Sequence, residues 1–273
     1  MKRIYAEQDT WKKVYSDLKE RGYTLLKIRE EIGTQIERQL YKGYGINIES
    51  FKKLQELVGY QIPTISNPFW EERFDFDLNN ETAELIGILL GDGGISRKVI
   101  TISIHSQAKE YIEWVRKLVK SVFKYDVKFH KRKNKKVIDL KIHSVARVEA
   151  LLHLGLKTGN KVKKQVGVPD WIKADDNYFI SCIRGLIDTD GYIGRYQKRD
   201  NRYTWHQYNV GFGNHSVRLV DDFVEFCNRF NIPVSRSHKY KAIIGSKKGV
   251  LQFLELTMPF KLTQVKFTLD ELR

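Results

Sequence analysis

Among 273 residues, Lys and Arg total 48 against 33 Asp and Glu, a formal charge of +15 that points to a polyanionic partner. With 41% hydrophobic and 12% aromatic residues the chain can bury a core, which excludes a disordered polyelectrolyte. No apolar run approaches the roughly 18 residues of a membrane span and the start has no apolar signal core, while two widely separated cysteines, Cys182 and Cys227, exclude a disulfide scaffold and suggest buried thiols in a reducing compartment such as the cytoplasm.

Residues 1–60 read as helices. Trp11, Val14, Tyr15 and Leu18 recur at helical spacing. TLLKIREEIG opens with a cap residue, Thr24, and stops at Gly33; TQIERQLYKG opens with Thr34 and stops at Gly43; IESFKKLQELVG stops at Gly59. Short helices joined by tight turns outline a helix-turn-helix, with a plain helical bundle as the alternative. Residues 61–80 carry Pro63 and Pro68 with little periodicity and read as a linker.

From residue 81 the chain repeats itself. ELIGILLGDGGIS (84–96) is echoed by CIRGLIDTDGYIG (182–194), and the following segments match, with Ile102 and Ser103 aligned on Val210 and Gly211. Two similar units, 81–175 and 176–273, are expected, each helix, two strands, helix, two strands, helix. Ile100, Ile102 and Ile104 alternate with polar residues, as do Ile138, Leu140 and Ile142, and Tyr208, Val210 and Phe212. Strands with one wet face predict an α+β fold of antiparallel sheets, each covered by helices on its other face.

Lys128, Lys131, Arg132, Lys133, Lys135, Lys136 and Lys141 form one basic hairpin, and Arg195, Lys198, Arg199 and Arg202 a matching one near Tyr196, Tyr203 and Trp205. With Lys241 they form the expected phosphate-tracking surface. A two-stranded ribbon is narrow enough for the DNA major groove, where polar side chains of its outer face meet base edges.

Asp92-Gly93 and Asp190-Gly191 end apolar helices at the same register of the repeat. The small residues Gly87 and Gly91, and Gly185 and Thr189, lie four apart and allow two helix backbones to pack closely, which would bring Asp92 beside Asp190. Two carboxylates at the negative ends of two helix dipoles repel. Hard oxygen donors so placed favour Mg²⁺, and Mg²⁺ between two basic halves fits metal-assisted phosphodiester hydrolysis. Asp188 has Leu90 as its counterpart and reads as structural.

LIGILLGDG (85–93) and IRGLIDTDG (183–191) resemble the paired motifs of the LAGLIDADG homing endonuclease family, and the resemblance covers about residues 81–273. It implies a pseudo-symmetric αββαββα pair whose saddle-shaped sheets lie on double-stranded DNA. Asp92 and Asp190 would hold a divalent cation, Mg²⁺ or another such as Mn²⁺, with the carbonyls of Gly91 and Thr189 as further ligands. Gln107 and His215 would face the metal-bound waters. A supporting lysine would come from Lys161 or Lys163 in the first unit, with Lys163 taken as the catalytic one, and from Lys261 or Lys266 in the second, unless Thr263 occupies that place. The front segment resembles the helix-turn-helix of some free-standing relatives. A start at Met1 without a Cys or Ser nucleophile, and an end in LDELR, lead us to expect a free-standing copy rather than an intein-borne one.

The function expected is therefore a monomeric, site-specific double-strand DNA endonuclease with a long asymmetric target, in a reducing compartment that contains DNA. A catalytically silent transcription regulator and an intron RNA maturase are the alternatives.

Overall fold

The computed structural model describes residues 3–42, 44–65, 74–133, 135–200 and 203–273. Two compact units divide between residues 72 and 73. Within 61–80, Ile65 bridges Tyr5 in the first unit and Phe76 packs on Phe123 in the second, at 5.3 Å between rings. Residues 66–73, which include Pro68, lie outside the described residues, as do Gly43 and Arg202.

The first unit runs β1 (Arg3–Ile4), α1 (Gln8–Glu20), α2 (Leu25–Ile32), α3 (Glu37–Lys42), β2 (Ile46–Asn47) and α4 (Ile48–Val58). Trp11, Val14 and Leu18 are fully buried, as the 3.6-residue period of α1 requires. The Thr24 side chain accepts from the Lys27 N–H at the start of α2, and Gly33 ends that helix in the left-handed region, φ 71°. Asn47 and Gly59 play the same parts for α4. Two expectations need correction. The third helix begins at Glu37 rather than after Thr34, because the fully buried Ile36 anchors the turn whose carbonyl receives the Gln39 and Leu40 N–H groups. The unit is also not all-α: Ile4 pairs with Ile46 in a two-stranded antiparallel ribbon, too short to leave a periodic signal.

The second unit contains the repeat. Its first half runs α5 (Asn80–Gly91), β3 (Gly93–Ile95), β4 (Val99–His105), α6 (Lys109–Phe123), β5 (Lys128–Lys131), β6 (Val137–His143) and α7 (Val145–His153). After the short α8 (Asp170–Lys173), the second half runs α9 (Asp176–Asp190), β7 (Gly191–Arg199), β8 (Thr204–Gly213), α10 (Val217–Arg229), β9 (Ser235–His238), β10 (Lys241–Ile244) and α11 (Lys247–Thr257). The two four-stranded sheets, in the orders β3-β4-β6-β5 and β7-β8-β10-β9, are antiparallel throughout. Ile100, Ile102, Leu140 and Ile142 turn inward from one sheet, and Val210, Phe212, Ala242 and Ile244 from the other, all completely buried. Cys182 and Cys227 are free and buried in the same core. Among the described residues no helix is long and apolar enough to cross a membrane.

The strand order corrects the internal alignment. The basic hairpin β5–β6 corresponds to β9–β10, and β7–β8 corresponds to β3–β4, so the two basic hairpins are not equivalent. Charge and a turn look alike in any hairpin; only pairing assigns its place. Gly93 pairs with Ile102 as Gly191 pairs with Phe212, so Ile102 matches Phe212 and Ser103 matches Gly213. The strand alignment read from sequence is thus two residues out of step, because β4 runs on to His105, paired with Val137, before its helix begins.

Candidate active site

The site stands where α5 and α9 end side by side. A Cβ on Gly87 would lie 2.9 Å from the carbonyl carbon of Cys182 and nearer still to its oxygen. A Cβ on Gly185 would lie 2.9 Å from Ile88 N and overlap the Glu84 carbonyl. Only glycine permits backbones to approach this closely. One turn on, Gly91 packs on Thr189, and a Cβ there would stand 3.3 Å from Asp190 Oδ2. The helix packing therefore carries the next residues, Asp92 and Asp190, to one place.

The electrostatics are those of two crowded acids. Enclosure by protein, although Asp92 keeps an exposed edge, raises its carboxyl to about 6; Asp190 adds to the rise, and Lys161 and Lys261 oppose it. Asp190 is also raised by burial, and a 2.6 Å hydrogen bond donated by Asn214 Nδ2 works against this. The Asn214 Oδ1 in turn accepts from the Ser216 N–H at 2.7 Å, which sets the amide's orientation. In strand register Asn214 corresponds to Ile104, so the two acids are not equivalent.

A lysine is bound to each helix terminus. Lys161 Nζ donates to the carbonyls of Leu90 (2.9 Å), Leu89 (3.3 Å) and Gly91. Lys261 Nζ donates to Ile187 O (2.9 Å), Thr189 O (3.4 Å) and Gly191 O. Burial pulls both ammonium groups below the usual lysine range, against the attraction of the neighbouring aspartates. Asp188 secures the second lysine: its buried carboxylate accepts the backbone N–H groups of Phe260 (3.0 Å) and Lys261 (2.7 Å). Its role is thus structural.

Among the described residues, the side chains of Lys163, Gln107 and His215 make no hydrogen bond to Asp92 or Asp190. Lys163 is exposed and engages Asn160 through its backbone N–H; Lys161 reaches the site instead, because the turn at 161–164 points its successive side chains apart. Gln107 is exposed at the start of α6. His215 is exposed too, its ring 5.2 Å from that of Tyr240, while its neighbour Asn214 meets Asp190. Asn214 corresponds in strand register to the apolar Ile104, so the repeat pattern carries no signal for it. In the second unit Lys261 takes the supporting position rather than Lys266 or Thr263. The Gly91 and Thr189 carbonyls, expected as metal ligands, already accept from these lysines.

Among the described residues no three His, Cys, Asp or Glu side chains gather to hold an ion. The donor set available to a cation is two carboxylates and the adjacent carbonyls. These are all hard oxygens, which suit Mg²⁺ or Mn²⁺ bound with several waters and not zinc.

The basic residues divide between faces. Paired residues share a face, and faces alternate along each strand. Lys128 and Lys141 are mutual partners on the outward face of the first sheet, with Lys198 and Lys241 outward on the second. Lys133, Lys135 and Lys136 are exposed at the β5–β6 tip. Three others depart from expectation. Lys131 pairs with Ile138, and Arg195 and Arg199 fall in register with Ile193, so all three belong to the helix-covered side. Arg195 pairs with Glu271 at 2.8 Å. Arg132 is held by Asp139 through two 2.8 Å bonds and by Ser103 Oγ at 2.9 Å. Burial pushes Asp139 up, but these bonds outweigh it and hold the carboxyl below its usual range. Arg132 therefore brings little unneutralised charge to a phosphate.

A fold of paired αββαββα halves, with an acid at the end of each motif helix, defines a class. Residues 180–257, most of the second repeat, match the family model described as LAGLIDADG-like domain. A curated relative, the replication factor C small subunit of Methanocaldococcus jannaschii, is 25% identical over 252 residues, which are 87% of this chain; the chain spans only 13% of that relative's length. Similar solved structures include the meganuclease I-AabMI bound to uncleaved DNA (12% identity, 71% of this chain and 89% of that one, TM-score 0.48). I-SmaMI bound to cleaved DNA (8%, 68% and 85%, 0.44) and full-length DUF199/WhiA from Thermatoga maritima (19%, 72% and 61%, 0.44) are also similar.

Proposed function

We propose that the chain is a site-specific double-strand DNA endonuclease of the homing type. The observation that carries this reading is the convergence of Asp92 and Asp190 at paired helix ends, each end bound by its own lysine. Asp92 and Asp190 would hold Mg²⁺ or Mn²⁺, which when bound supplies an activated water and neutralises the leaving oxygen. The chain's own residues do the rest. Lys161 and Lys261 offset the negative helix ends and hold positive charge beside the scissile phosphates. Asn214 keeps the Asp190 carboxylate oriented. Lys198, Lys241 and the β5–β6 tip track the phosphates of duplex DNA. Both acids lie on one chain, so the chain works as a monomer. Its unlike halves call for a long asymmetric target, in a reducing compartment that contains DNA. The front unit serves as a helix-turn-helix DNA-binding arm.

One feature favours a silent DNA-binding regulator: Lys161 occupies the Gly91 carbonyl that a cation would share. Incubation with DNA from the host locus and Mg²⁺ tests both. Cleavage supports the endonuclease, retention without cleavage supports the regulator, and binding to intron RNA in place of DNA supports a maturase.

A further inference from the structure

The outward faces of the two sheets differ in chemistry. On the first they are lysine, histidine and hydroxyl residues: Thr101, Ser103, Lys128, His130 and Lys141, set around the Arg132–Asp139 pair. On the second sheet the β7–β8 ribbon presents Tyr192, Tyr196, Lys198, Trp205 and Gln207 on the same side. Tyr196 and Trp205 are 47% and 45% exposed, unusual for such large rings on a strand that is not covered.

Two glycines hold this surface flat. A Cβ on Gly194 would stand 2.7 Å from the Tyr196 ring, and one on Gly211 would overlap the Tyr192 ring. Glycine weakens a strand, and its presence marks a place where another group must approach the backbone. Here the group is a tyrosine ring: Tyr196 lies over Gly194 of its own strand, and Tyr192 lies over Gly211 of the neighbouring one. Lys241 Nζ sits 5.0 Å from the Tyr192 ring centre, so a phosphate-seeking charge borders the aromatic surface.

We infer that the second repeat reads an A·T-rich half-site, through apolar contact of Tyr196 and Trp205 with thymine methyl groups and amide pairing of Gln207 with adenine. The first repeat's Lys128 and Lys141 suit the guanine edge, so the other half-site is richer in G·C. The chemistry follows the major-groove code: the thymine methyl is the apolar group there, adenine offers the N6/N7 pair that a glutamine amide matches, and guanine offers the O6/N7 acceptors that lysine matches. This inference rests on the DNA-binding part of the function proposed above and deepens it.

The test is selection of duplexes from a random-sequence pool by the full chain, with Ca²⁺ in place of Mg²⁺. The expected product has two arms of unlike composition, one A·T-rich. Gln207→Ala and Trp205→Ala should each weaken binding to the selected site about tenfold, the cost of one lost base contact, and relax the preference in the A·T-rich arm alone. Lys128→Ala with Lys141→Ala should alter the other arm. Arms of equal composition, or a Gln207→Ala variant that still selects the same A·T-rich arm, would overturn the inference and leave the endonuclease reading standing. A pool with no enriched sequence would overturn the DNA-binding reading, and this inference with it.

Discussion

The Cys182 carbonyl fills the space that a side chain at Gly87 would need, and the Glu84 carbonyl does the same for Gly185. These reciprocal contacts hold α5 and α9 in register, and they set where Asp92 and Asp190 stand. Gly87→Ala should therefore act on stability and on the site together. Overpacking of this kind costs roughly 1–3 kcal/mol, or about 2–4 °C per kcal/mol for a unit of this size. A melting curve for Gly87→Ala that overlays the parent would show that the helices can part without cost.

Neutralising the acids should separate cutting from binding. Asp92→Asn and Asp190→Asn should each abolish cleavage in Mg²⁺ while DNA retention in a gel shift stays within about threefold, because neither side chain is part of the basic surface. Full cutting by either variant would show that the paired acids are not the reactive centre.

The metal-free protein should become more stable as pH falls from about 8 towards 5. Asp92 and Asp188 are raised to about 6 and Glu84 to about 7, burial being the main cause in each case. A carboxyl raised on folding takes up a proton more readily in the native state, so its stabilising contribution is complete below its unfolded value and is lost as pH rises through the folded one. Asp92→Asn should flatten part of that slope. Denaturant midpoints across this range give the sign, and a midpoint that falls between pH 8 and 6 contradicts the assignment.

The two lysines should matter and their neighbour should not. Lys161→Met and Lys261→Met should each lower the cleavage rate by roughly 10²-fold, the usual loss for one preorganised charge-stabilising donor. Lys163→Met should cut at the parent rate, since that side chain is exposed. Single-turnover rates on one substrate would decide between them.

Binding should depend steeply on salt, with a log–log slope near −0.9 for each phosphate neutralised. Arg195→Ala and Arg132→Ala should change that slope little, because Glu271 and Asp139 already engage their guanidinium groups. Lys133→Ala and Lys136→Ala should each reduce it by about one. Removal of residues 1–70 should weaken binding yet leave cleavage of saturated DNA intact. Equal affinity with and without that segment would deny it a role as a DNA-binding arm.

Much of the architecture was legible in the linear sequence, because it rests on local rules. Apolar residues at a spacing of two mark Ile100, Ile102 and Ile104 as the buried face of a strand, and that is where they lie. Thr24, Gly33 and Gly59 mark helix ends through hydrogen-bonding capacity and backbone freedom that each residue carries by itself. The duplicated Asp-Gly motifs and the small residues before them foretold close helix packing, since any Cβ at Gly87 or Gly185 is excluded by size alone. Tertiary structure decided what depends on partners distant in the chain. Which lysine reaches the end of α5 turns on the direction of one loop, and composition does not distinguish Lys161 from Lys163. Whether Arg132 and Arg195 bring free charge turns on Asp139 and Glu271, 7 and 76 residues away. The place of Asn214 beside Asp190 turns on strand register, because a shift of two residues keeps every side chain on its face yet changes which neighbour it meets.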